Sequence, residues 1–282
     1  MGASRRKLLP TASHAINTAN ESIGIYVYCV ARANAAPTLT QPEPCLPGAS
    51  APLVLPLNTR TWVIATEVPL SIYGAGAIEL RMKDLDWVGT CGVAHQAMLD
   101  ACMRASDAVV PMKVFTIFNS VERACGEMRR HGNQLHSLMR QVAGCVEWGV
   151  RITRAPQPLL KLRRQIVRER LAALTRSSGT AFLEAKAQQR AAVREAAETL
   201  DQHVQALAKT LHGVTRDVRY RRDPTGGSVP VLFDAAYLVP RRSEERFRAQ
   251  VRLKSRPLLA QGCRVTVTGP WPAYSFVSPT GR

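Results

Sequence analysis

The stretch that most constrains this chain lies near its C-terminus, at Gly269-Pro270-Trp271-Pro272. Proline lacks a backbone donor and fixes φ, so two prolines around one tryptophan exclude a regular helix and a central place in a sheet. Just before them, Arg264-Val265-Thr266-Val267-Thr268 alternates polar and apolar side chains and is β-branched apart from Arg264, which reads as a strand. The expectation is a strand stopped by Gly269 and Pro270, then an extended, irregular tail carrying Trp271, Tyr274 and Phe276. These rings have two open roles: packing onto their own domain, or forming a stiff surface that docks a partner or clamps domains together. Stiffness lowers the entropy lost on docking.

A chain of 282 residues suffices for one large or two ordinary domains. Its seven cysteines are scattered, with no Cys-x-x-Cys pair. That argues against a zinc ribbon or disulfide framework and for a reducing cytoplasm. The net charge of +17 is uneven: residues 1–145 carry 13 basic and 10 acidic side chains, residues 146–282 carry 25 and 11. A basic half suits an acidic partner, whether nucleic acid, membrane or protein. No apolar run approaches the roughly 20 residues that cross a bilayer. Ser4-Arg5-Arg6-Lys7-Leu8-Leu9 resembles a twin-arginine export start, but Pro10, Ser13, His14 and Asn17 follow where an apolar segment belongs. Residues 1–22 are expected to be a disordered extension.

Along the chain, 23–31 is nearly continuously apolar and reads as a buried first strand. Six prolines between 37 and 56 mark a loop with at most a short strand at 53–55, and 61–66 is a second clear strand. A helix over 85–105 presents Trp87, Cys91, Ala94, Met98, Cys102 and Ala105 as one stripe. A third strand is expected over 109–118. Asn119 and Glu122 form a capping box for a helix reaching about 144, with Val121, Ala124, Met128, Leu135, Leu138 and Val142 buried. Another strand spans 146–152, and a domain boundary is placed there.

The second half reads as helices over 159–175 and 180–211, a strand over 214–220 and a strand over 231–239. A helix capped by Ser243 should end near Ser255 because Pro257 follows, and the last strand comes after it. The longer helix carries Phe182, Val193 and Leu200 on a stripe whose Ala-rich centre buries little area, so it needs its Leu/Val end or a partner. The fold class is therefore α+β in two domains, 23–145 and 146–282. The second is ferredoxin-like with an enlarged helical crossover.

No catalytic constellation is legible. Gly74-Ala-Gly76 lacks the third glycine of a dinucleotide loop, since position 79 is Glu79. Cys91 and His95 share a helix face, but no further metal ligands converge on them, and His131 and His136 lie about 140° apart around a helix. Asp84 and Asp86 are most simply helix-start residues. No cofactor or metal is expected, and no enzymatic activity. Arg216, Arg219, Arg221 and Arg222 around Tyr220 suit either a charge-blunted strand edge or nucleic acid.

Several of these stretches also resemble one family. Gly269-Pro270-Trp271-Pro272-Ala273-Tyr274-Ser275-Phe276 resembles Gly-Pro-Trp-Pro-Pro-Tyr-Ser-Phe, the closing signature of the gas vesicle protein F/L family, with Ala273 at the second proline. The opening strand's Tyr26-x-Tyr28 and the helix histidine His95 match its order. So do Glu147-Trp148-Gly149-Val150, the run Gly179-Thr-Ala-Phe-Leu-x-x-Lys186, and Ala236-Tyr237-Leu238-Val239. The family's Leu-Pro-x-Arg-Phe-Gly-Thr-x-Phe is similar to Val110–Phe118, with Lys113 for the arginine and Phe115 for the glycine. The resemblance implies a non-enzymatic, cytoplasmic, gas-vesicle-associated factor in gas vesicle assembly. Its partners would be the hydrophobic shell protein and other accessory proteins. Such a factor should expose apolar surface, and the candidates are Trp271, Tyr274, Phe276, Phe182, Val193 and Leu200. A basic nucleic-acid-binding protein using the C-terminal half is the alternative.

Overall fold

The computed structural model describes residues 22–154, 165, 179–221 and 229–277. Nearly all of the expected N-terminal extension and of the helix expected over 159–175, and Arg222, lie outside the described residues.

Two antiparallel sheets and eight α-helices make an α+β fold among the described residues. The first sheet holds β1 (Ile23–Arg32), β2 (Pro52–Asn58), β3 (Thr61–Pro69) and β4 (Ala108–Pro111) in the order β2-β3-β1-β4. The two-residue β5 (Ile117–Phe118) also pairs with β1. The second sheet holds β6 (Cys145–Arg154), β7 (Asp217–Tyr220), β8 (Val231–Pro240) and β9 (Cys263–Trp271) in the order β7-β8-β6-β9. Taken in chain order within each sheet, the two orders are the same.

β1 is apolar up to Arg32 because both its faces are covered between its ends. Tyr26 and Tyr28 pack toward α3 (Leu85–Ala105), against Cys91, Met98 and Cys102. Ile25, Val27 and Val30 pack toward α4 (Val121–Arg130) and α5 (Gly132–Val142). Between β3 and α3 the chain makes two short helices, α1 (Leu70–Tyr73) and α2 (Ala75–Arg81), which meet at Gly74. In the second half, Trp148, Val150 and Ile152 of β6 meet two helices. These are the 34-residue α6 (Gly179–His212), through Leu200, Leu207 and Leu211, and α7 (Glu244–Ala260), through Phe247, Val251 and Leu258. Each such side chain contributes about 1.5–3 kcal/mol when fully buried. Both apolar clusters contain residues from the two halves, so the sheets share a core. No helix among the described residues is long and apolar enough to cross a membrane.

Several local expectations are corrected. Ala105 is exposed, while His95, Leu99 and Met103 join the buried stripe of α3. The strand expected over 109–118 is broken into β4 and β5 by a turn. The helix expected to reach 144 breaks at His131, and its cap is Ser120, which accepts from the Arg123 N–H, rather than Asn119. Ser243 makes no side-chain cap bond. α7 runs through Pro257 to Ala260; the residue whose carbonyl loses its donor, Leu253, is half exposed, so water can serve that carbonyl. β9 passes Gly269 and Pro270 and ends at Trp271, paired with Glu147. It is an edge strand, where proline removes no ladder bond. The tail beyond Pro272 is one helical turn, α8 (Tyr274–Val277), not an extended track.

Candidate partner-binding surfaces

The tail is fastened at one buried carboxylate. Glu147, on β6, is 3% exposed. It accepts hydrogen bonds from the Ser275 N–H and the Ser275 hydroxyl, both 2.8 Å, and from the Arg221 guanidinium at 2.6 Å. A buried carboxylate needs this set of donors to offset its lost hydration. Two glycines allow the close approach. Gly269 has φ +130°, and a Cβ there would stand 2.7 Å from the Glu147 carbonyl oxygen. A Cβ on Gly149 would meet the Thr268 hydroxyl at 2.6 Å.

The predicted site residues separate accordingly. Phe276 is buried with Ile25, Val27, Leu135 and Met139 of the first half. Tyr274 is partly buried, and its hydroxyl donates to Gln96 of α3 at 3.4 Å. Burial pushes that phenol's pKa well up. Trp271 alone of the three rings stays at the surface, 40% exposed. The tail therefore joins the second sheet to α3 and α5. On α6, Leu200 is buried in the shared core, whereas Val193 is 52% exposed. The Phe182 side chain lies outside the described residues. Most of the described side chains over 183–198 are exposed, including Leu183 at 65%. This length of helix thus carries apolar residues without a covering layer. The structure sends the tail rings to different places, Phe276 into one cluster, Tyr274 against the other and Trp271 to the surface.

A network that sequence reading did not assemble supports the turn between β4 and β5. The Tyr26 hydroxyl accepts from the Phe115 N–H at 3.3 Å and lies 2.8 Å from His95 Nδ1. Burial outweighs the nearby Met112 backbone acceptor and lowers the imidazole's pKa to about 4, so it is neutral near pH 7. Phe115 is the one non-glycine residue of positive φ among the described residues, at 65°. Its ring stacks on Trp87 at 5.3 Å with 2° between planes. Beside this turn an apolar groove of about 330 Å³ runs between Val110, Pro111, Met112, Leu135, Leu138 and Val277, with Lys113 and His131 also lining it. The only sequence signal for it was the proline-centred motif itself.

Three of the basic side chains around Tyr220, Arg216, Arg219 and Arg221, have partners within the chain. Arg216 donates to the carbonyls of Gln141 and Ala143, Arg219 lies 3.8 Å from Asp217, and Arg221 holds Glu147.

Residues 24–278 match the family model described as gas vesicle synthesis protein GvpL/GvpF. The chain belongs to the GvpL/GvpF family. A curated relative, gas vesicle protein L of a Streptomyces species, is 26% identical over 217 residues, 74% of this chain and 77% of that one. Crystal structures of gas vesicle protein GvpF from an Anabaena species and from Microcystis aeruginosa share the fold. Each has TM-score 0.61 at 15% identity; the first covers 92% of this chain and 98% of its own, the second 91% and 99%. Within a gas vesicle accessory family, Phe115 gains a physical meaning. It stands where the resembling GvpL/GvpF motif has glycine, and the backbone there adopts the left-handed conformation that glycine takes without cost. Glu147, Gly149 and Gly269, from two stretches that each resemble this family, meet in one lock.

Proposed function

We propose that this chain is a non-enzymatic accessory protein of gas vesicle assembly, associated with gas vesicles in the cytoplasm. In this reading it binds the hydrophobic shell protein and other accessory proteins. The family match over residues 24–278 carries the reading. Exposed apolar surface on a water-facing helix supports it, since a protein that handles an apolar subunit must offer apolar area. Val193 and Leu183 on α6 and Trp271 on the tail are the proposed contacts, together with Phe182. Leu200, Tyr274 and Phe276 hold those contacts in place from below. The C-terminal unit, from about residue 146, is read as ferredoxin-like, because β6-α6-β7-β8-α7-β9 has the strand order and antiparallel pairing of that fold.

The test is retention of shell protein and accessory proteins by the purified chain at low and high salt, compared with Val193→Ser and Trp271→Ala. Retention at high salt, weakened by either substitution, supports the assignment. Absence of retention, with nucleic acid co-purifying at low salt alone, refutes it and favours the nucleic-acid alternative.

A further inference from the structure

Helix α7 has two faces of opposite character. Phe247, Val251, Ser255 and Leu258 are buried. On the other side Arg246, Ala249, Leu253, Arg256 and Ala260 follow one another at alternating spacings of three and four, Arg242 of the 3-10 turn Arg241–Ser243 precedes them by four, and all six are exposed. That alternation is the spacing of the seam in a helix pair. Arg252 and Leu259 flank it, and Leu253 and Leu259 are 50% and 54% exposed. Among the described residues, no carboxylate pairs with Arg242, Arg246, Arg252 or Arg256. Glu244 and Glu245 stand in the first turn of α7, where the helix dipole favours them. Arg248 differs from the seam: its guanidinium lies over the Trp148 ring at 5.8 Å.

We infer that this face docks an acidic amphipathic helix of a protein partner. The charge pattern asks for carboxylates, which arginine binds in bidentate fashion. The leucines and alanines between the cations ask for apolar side chains at helical spacing, which a phosphate backbone does not supply. A membrane surface is a poorer fit, because the helix's continuous apolar face is turned into the core and cannot enter lipid. The inference is independent of the shell-protein reading: its residues lie neither on α6 nor on the tail.

The test measures binding of the full chain to a fluorescent amphipathic peptide about three heptads long, with Leu at the seam positions and Glu beside them. Its comparisons are the same peptide with Gln for Glu, a duplex DNA of similar length, and phosphatidylglycerol–phosphatidylcholine vesicles. The acidic peptide should bind at least about tenfold more tightly than the Gln peptide. Arg252→Glu with Arg256→Glu should weaken it by roughly tenfold or more, and Leu253→Ala by several-fold. Arg252→Gln with Arg256→Gln serves if the charge reversal perturbs folding, as read by circular dichroism. Absence of peptide binding, or binding unmoved by these variants, overturns the inference. So does tighter binding to DNA or vesicles than to the peptide at one ionic strength.

Discussion

At position 115 the usual order of two small residues should invert. Phe115 adopts φ +65° and stacks on Trp87. Removing its ring forfeits about 0.5–1.5 kcal/mol of stacking, plus about half of the roughly 1.5–3 kcal/mol for a fully buried ring, since Phe115 is part-buried. Phe115→Ala loses this and keeps the left-handed backbone, so it should destabilise by about 2 kcal/mol. Phe115→Gly loses the same ring but relieves about 1–2 kcal/mol of left-handed strain, against about 0.5–1 kcal/mol for glycine's freedom in the unfolded chain. It should therefore be more stable than Phe115→Ala by about 0.5–1 kcal/mol, although glycine is ordinarily the worse of the two. Urea unfolding followed by far-ultraviolet circular dichroism measures both midpoints and slopes, and its signal does not depend on Trp87 emission. A Phe115→Ala protein as stable as Phe115→Gly, at equal slopes, would refute the argument that the turn enforces positive φ.

His95, lowered to about 4 in the fold against about 6.5 unfolded, binds its proton more readily in the unfolded chain. Stability should therefore fall by up to about 3 kcal/mol as pH drops from about 6.5 to about 4, and urea midpoints of His95→Gln across that range should lack this component of the slope. Gly269→Ala places a Cβ against the backbone oxygen of Glu147, whereas Gly149→Ala meets only the Thr268 hydroxyl, an end of a side chain that can rotate. The first should lower the melting temperature far more than the second; equal losses would argue against the close approach at Gly269. Glu147→Gln and Ser275→Ala should each destabilise by about 1–3 kcal/mol, and a double-mutant cycle should show the sum of the single losses exceeding the loss in the pair, because they share hydrogen bonds.

What was legible in the sequence was what short-range pattern controls. β1 is apolar on both faces, the α3 stripe repeats every three or four residues, and Asp84 caps α3 by accepting from the Asp86 and Trp87 N–H groups. What was not legible depends on distant partners. Lys113-Val114-Phe115 is β-prone, yet the turn there is fixed by Tyr26, which is 89 residues away from Phe115 in sequence. Pro270 reads as a strand stop until β9 is known to be an edge. The arginines around Tyr220 read as a charge-blunted strand edge or a nucleic-acid patch, but Arg216 and Arg221 find partners on α5, on β6 and at the carbonyl after α5. A count of charges cannot distinguish a guanidinium held by a carbonyl from one facing water. On α7 the exposed Arg246, Arg252 and Arg256 have no carboxylate partner among the described residues, and sequence hides this because the charges are interleaved with the residues of the buried face.

The same contrast separates what identifies this chain from what would let it act on a partner. The distinctive residues of the tail and of the β6 stretch are needed by the fold: Glu147 accepts three hydrogen bonds, Gly269 passes against its backbone, and Ser275 closes the lock. Such residues are engaged on all sides and have little left to offer another molecule. Surfaces free for a partner are, by the same logic, made of residues the fold does not need: Leu183 and Val193 on the uncovered length of α6, and the Arg-Leu seam of α7. These stretches are compositionally plain, rich in Ala, Arg and Gln. Substitutions in the lock should therefore register first in unfolding and only through it in binding. Substitutions on the two helices should leave the melting temperature nearly unchanged and register in binding alone. Melting curves and partner retention measured on one set of variants would separate the two groups, and a lock variant that lost binding at full stability would break the division.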